Sequence, residues 1–138
     1  MLQSRKGVVT MEKEVYILAS VRTNNFTDDA LQDKIRAVWH TAREKNDGGM
    51  LYGIYHDYES DYRGDYTLSV ATTSPIGDDI IALPQATYTT YITSAPHIFD
   101  TWESIWQRES EGSINRAYTI DFERYLEDGR VEIFVAFK

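Results

Sequence analysis

Residues 14–22, EVYILASVR, are apolar and β-branched enough to predict a strand buried on at least one face. TNNFTDD breaks that run, and Thr27 or Asp28 stands where the N-cap of a following helix belongs. Over residues 29–45, Leu31, Ile35, Val38, Trp39 and Ala42 fall on one stripe, with Gln32, Asp33, Lys34, Arg36 and Arg43 elsewhere, which predicts an amphipathic helix. NDGG ends it with turn chemistry. MLYGIYHDY then predicts a strand, ESDYRG a connection, and DYTLSVATT its hairpin partner. SPIGDDIIALP predicts a loop that packs down through Ile80, Ile81 and Leu83. ATYTTYIT predicts a strand, and SAPHIFDTWESIWQRES a helix opening near Pro96 with Ile98, Trp102, Ile105 and Trp106 on one stripe. NRAYTIDFERYL and VEIFVAFK predict two last strands around EDGR, whose Asp-Gly step favours a tight hairpin. Residues 1–13 lack this patterning and are expected as a flexible arm, leaving 14–138 as a single domain.

The order strand, helix, hairpin occurs twice, and the likeness reaches individual residues. Asp33 to His40 aligns with Asp100 to Gln107 at a constant offset, setting Trp39 against Trp106. One residue of slippage then sets Tyr52 and Ile54 against Tyr118 and Ile120, Asp57 against Glu123, and Leu68 against Phe134. Neither half buries its apolar face alone. The expected fold is therefore α+β, with halves at about 14–74 and 86–138 related by a pseudo-twofold axis, and antiparallel sheets facing a central ligand groove.

Net charge is −8, with a pI near 4.8. That argues against general nucleic-acid binding, which needs a basic face, and favours cationic or neutral partners. The same charge also serves solubility. The chain has no cysteine, which excludes disulfides, thiolate metal sites and cysteine nucleophiles. It shows neither a signal-peptide pattern nor a run of the ~20 apolar residues that a membrane span needs, so a soluble cytoplasmic protein is expected. No nucleophile elbow, phosphate loop or dinucleotide fingerprint is present, so neither a catalytic motif nor a cofactor is expected. His40, His56 and His97 lack zinc-site spacing. The acidic DYESDYRGD lacks the EF-hand glycine and terminal glutamate at their positions. Aromatic residues make up 13% of the chain, more than a core of this size needs, so some are expected around a cavity or interface.

The last hairpin is where chemistry is expected. Alternation sets Tyr118, Ile120 and Phe122 on one face and Thr119, Asp121, Glu123 and Tyr125 on the other. Two arrangements satisfy such a face. One is an exposed strand with Glu123 paired to Arg116 or Arg124. The other is a polar cavity in which the carboxylate meets a cationic ligand among aromatic faces.

The run FERYLEDGRVEIFVAFK, with LYGIYHDYESDYRGDYTL and FDTWESIW, resembles the GyrI-like family, also described as the effector-binding domain of AraC-type regulators. The resemblance extends over about 14–138, and FERY is its most specific part. It implies two strand–helix–hairpin halves around a groove for small, often cationic and lipophilic compounds. It also implies a glutamate anchor on the penultimate strand, matched here by Glu123. Tyr125 matches a wall position two residues on, Phe134 a wall position where relatives commonly carry tyrosine, and Tyr91 a position that covers the ligand. Tyr52, opposite Tyr118 by the repeat, is expected to reach the groove from the other half. Trp39 and Trp106 lie on helix stripes, where core packing competes with a pocket role, and Trp102 is open between the two.

The expectation is a stand-alone binding protein for lipophilic, cationic organic molecules, because only about a dozen residues precede the first strand, too few for a DNA-reading module. It carries no metal, no membrane contact and no direct nucleic-acid contact, though a separate protein partner stays open. Two alternatives also stand. One is a hydrolase of reactive cyclopropane-containing natural products, as some GyrI-like proteins resemble, with Glu123 activating water and a tyrosine polarising the substrate. The other is a protein-interaction module of the gyrase-inhibitor kind.

Overall fold

The structure is a computed structural model that describes residues 4–9 and 13–138, the first of these as backbone only. The apolar, β-branched runs form strands β1 (Ser4–Val9), β2 (Lys13–Thr23), β3 (Leu51–His56), β4 (Tyr66–Thr72), β5 (Ile80–Leu83), β6 (Ala86–Ser94), β7 (Asp121–Tyr125) and β8 (Arg130–Ala136). The two amphipathic stripes form helices α1 (Leu31–Lys45) and α2 (Ile98–Ser110), the latter preceded by a single 3-10 turn at Ala95–His97 that carries Pro96. All pairings are antiparallel, in the order β1-β6-β8-β7-β3-β4-β2-β5. One continuous sheet thus stands where separate sheets were expected, because β3 and β7 pair and join the two hairpins.

Alternation along each strand gives the sheet two unlike faces. One face carries Tyr52, Ile54, Phe122, Phe134, Tyr88 and Val15, packed ring on ring, with Phe122 and Phe134 stacked at 4.6 Å. The other face carries the helices. Val38 and Ala42 of α1 pack on Leu18, Leu68 and Val70, while Trp102 and Ile105 of α2 pack on Tyr91, Val131, Ile133 and Val135. No helix among the described residues is long and apolar enough to cross a membrane.

Three segments depart from the sequence expectation. Residues 4–9, expected within a flexible arm, form β1 and pair with Tyr91 through Ala86 of β6; residues 1–3 and 10–12 lie outside the described residues. Such an edge strand is held by main-chain hydrogen bonds, so it needs no apolar alternation to announce it. Within the expected loop 74–84, residues 80–83 form β5 on the edge of β2. The last hairpin is shorter than expected, since strand structure begins at Asp121 and Arg116 makes only an isolated bridge to Phe137. Tyr118 has φ of 55°, which breaks the alternation assumed for 118–122. Its hydroxyl instead donates to Glu109 on α2 and accepts the Tyr62 N–H.

Candidate ligand-binding site

The antiparallel register places Gly53 of β3 directly opposite Glu123 of β7, on the helix face of the sheet. A Cβ on Gly53 would stand 2.9 Å from Glu123 Oε1 and 3.2 Å from Trp39 Cζ2, so the missing side chain is what leaves room for this carboxylate. Two residues along on each strand, parity brings Tyr55 and Tyr125 to the same face. The Tyr125 hydroxyl donates to Glu123 Oε1 at 2.6 Å and the Tyr55 hydroxyl to Oε2 at 2.8 Å. From above, the α2 stripe lowers Trp102, whose indole N–H donates to the same Oε2 at 2.7 Å.

Glu123 is 1% exposed, and among the described residues no lysine, arginine or histidine pairs with it. Burial pushes its carboxyl above the usual carboxylate range, and the hydrogen bonds from Tyr125, Trp102 and Tyr55 oppose that rise. Tyr55 and Tyr125 are themselves pushed well above the ordinary phenol value, by burial first and then by the adjacent Glu123 charge. The exposed-strand arrangement is therefore not adopted. Arg124 pairs with Glu132 on the far face at 2.6 Å, and Arg116 pairs with Asp121 at 2.7 Å.

Above this carboxylate, between α1 and α2, lies a cavity of about 440 Å³, within the ~300–1,000 Å³ usual for small-molecule sites. Its walls are aromatic: Trp39 from α1, Trp102 and Trp106 from α2, Tyr55 and Tyr66 from the first hairpin, Tyr58 and Tyr62 from its connecting loop, and Tyr125. Trp39 meets Tyr125 edge-on at 4.8 Å, and Tyr55 meets Trp102 in the same way at 5.2 Å. Two arginines also reach the wall. Arg116 is buried, with Asp121 and Glu109 beside it, and Arg43 lies over the outer side of Trp39. No cluster of three or more metal-ligating side chains occurs among the described residues.

Residues 8–137 match the model of the family described as integron-associated effector binding protein, Cass2. The chain belongs to this family. It is 26% identical to the Bacillus subtilis (strain 168) protein YobU, a candidate transcriptional regulator, over 86% of this chain and 89% of that one. The effector-binding chain also superposes on the integron cassette protein VCH_CASS2 from the mobile metagenome of Vibrio cholerae with a TM-score of 0.82, at 25% identity over 99% of this chain and 97% of that one. SAV2435, a structure solved with tetraphenylphosphonium, shares the fold with a TM-score of 0.68 at 16% identity, covering 100% of this chain and 94% of that one. The fold is that of GyrI-like effector-binding proteins, and binding of a small-molecule effector is what the family's description carries.

Of the residues singled out from the sequence of this effector-binding chain, Glu123, Tyr125, Trp39, Trp102 and Trp106 line one cavity. Tyr52, Phe134 and Tyr91 do not line it. Tyr52 and Phe134 are on the opposite face, because Phe122, not Glu123, is the residue that pairs with Phe134, and Tyr52 is one step out of phase with Gly53. Tyr91 keeps the helix face but sits opposite Ile133 on β6, beneath α2 and outboard of the β7–β3 seam over which the cavity opens. The sequence expectation missed Tyr55, Tyr58, Tyr62, Tyr66 and Arg116. A glycine inside the apolar run LYGIY was the available signal, since it marks a close approach and puts Tyr55 in phase with it.

Proposed function

We propose that this protein binds lipophilic organic cations, holding the positive charge against Glu123 and the apolar body against the surrounding rings. One observation carries the proposal: a buried carboxylate with no cationic partner among the described residues, at the floor of an aromatic cavity. Burying an unpaired carboxylate costs several kcal/mol, roughly, and a cation in the cavity recovers much of that. The three donors already on Glu123 occupy both carboxylate oxygens. A permanently charged cation that donates no hydrogen bond leaves them in place and still gains Coulomb and cation–π attraction. The tetraphenylphosphonium bound by SAV2435 is a cation of this kind, which supports the reading. The strand order runs alike outward from both sides of the β7–β3 seam, β8-β6 on one side and β4-β2 on the other. That order supports two halves related by a pseudo-twofold axis through the seam, with the cavity over it.

The test is a thermal-shift titration with tetraphenylphosphonium and the neutral triphenylphosphine oxide, on wild type and Glu123→Gln. At ~100-fold excess over its dissociation constant the cation adds about 2.7 kcal/mol of stability. The expected result is a shift with the cation only, lost in the variant. Equal shifts in both proteins, or a shift in neither, would overturn the proposal.

A further inference from the structure

The outer end of the cavity is built differently from its floor. Trp106 is the centre of a four-ring cluster there, stacked on Tyr62 at 5.7 Å with an 11° interplanar angle, tilted against Phe26 at 5.3 Å and edge-on to Phe99 at 6.0 Å. Phe26 and Phe99 are each 55% exposed, the most exposed large apolar side chains among the described residues. Phenylalanines that gain so little from burial are costly ornaments on a surface unless something covers them.

The cluster is also held in place. Buried Asn24 accepts the Phe26 and Thr27 N–H groups at 2.8 and 3.0 Å through its side-chain oxygen. Its amide donates at 3.0 Å to both the Arg63 carbonyl and Asp65. One side chain thus ties the β2–α1 connection, which carries Phe26, to the β3–β4 connection, which carries Tyr62. The shelf is continuous with the cavity, because Tyr62, Phe99 and Trp106 line both.

We propose that the ligand is elongated, with its cationic end at Glu123 and an apolar extension running outward over the Phe26–Trp106–Phe99 shelf. The inference rests on the proposed function and adds the ligand's shape to it. The occupant of the shelf is the bound molecule itself, because Tyr62, Phe99 and Trp106 belong both to the cavity wall and to the shelf and so carry an apolar surface outward from the site.

The experiment is a calorimetric titration of alkyltrimethylammonium ions of increasing chain length, kept below micelle formation, on wild type and Phe26→Ala, since Phe26 belongs to the shelf and does not line the cavity. Benzyltrimethylammonium serves as a compact cation that does not reach the shelf. A fully buried methylene is worth up to about fourfold in affinity, and about twofold is expected on a half-open shelf. Affinity should climb along the series in wild type and less steeply in the variant, with benzyltrimethylammonium bound alike by both. A series that is flat in wild type, or that climbs equally in both proteins, overturns the shelf while the compact cation still upholds the charge site. Failure of every cation to bind overturns both.

Discussion

Glu123 is a carboxyl group held between two opposing demands. Burial favours its neutral form, while hydrogen bonds from Tyr125, Trp102 and Tyr55 favour the charged one, and burial prevails. Because its value in the folded protein is raised, its contribution to stability is full below the ordinary 4.5 and is lost as pH climbs through the raised value. The unliganded wild type should therefore lose stability relative to Glu123→Gln as pH increases above 4.5. Thermal midpoints of the two proteins compared from about pH 4 to 8 check this. A difference that does not vary with pH would mean that the carboxylate is not desolvated. Cation affinity should rise across the same interval, since a bound cation displaces the proton.

Among the elements, β3 does most to shape the site, and through a residue without a side chain. Gly53→Ala sets a methyl group against Glu123 Oε1 and Trp39, in space that the ligand's charge would otherwise approach. Affinity for tetraphenylphosphonium should fall on the order of tenfold, the scale of one misplaced methylene in a pocket. Fold stability should also fall, by roughly 1–3 kcal/mol for overpacking against the buried carboxylate, offset in part because alanine loses less backbone freedom than glycine in a strand. Calorimetry with a parallel denaturation curve separates the two effects, and unchanged affinity would count against the carboxylate as anchor. The same strand shows how far local pattern reaches. Both helices and the EDGR hairpin were legible, since a 3.6-residue stripe and an Asp-Gly turn are written within a few residues of one another. The assignment of Tyr52 and Phe134 to the wall was not secure in the same way. Which face a strand residue takes depends on the β3–β7 register, a pairing between residues far apart in sequence, and one step of phase exchanges Tyr52 for Gly53 and Tyr55. β5 escaped notice because its alternation is half spent on solvent, with Ile80 exposed and Leu83 buried.

At the scale of the whole molecule, the cavity is a property of neither hairpin alone. Its floor takes Glu123 from β7 and Tyr55 from β3, and its walls take Trp39 from α1 and Trp102 from α2. Loss of the seam between β3 and β7 would dismantle the floor and the sheet together. Urea unfolding followed by backbone circular dichroism and by ligand-binding capacity should give coincident transitions. A loss of binding well ahead of the backbone signal would mean that the site opens separately. The placement of the indoles has a further practical consequence. The chain has three tryptophans, and all three line this cavity. Selectively excited tryptophan fluorescence of the unlabelled protein therefore reports on the site, so a quenching aromatic cation announces its own arrival, and the molecule is already its own sensor.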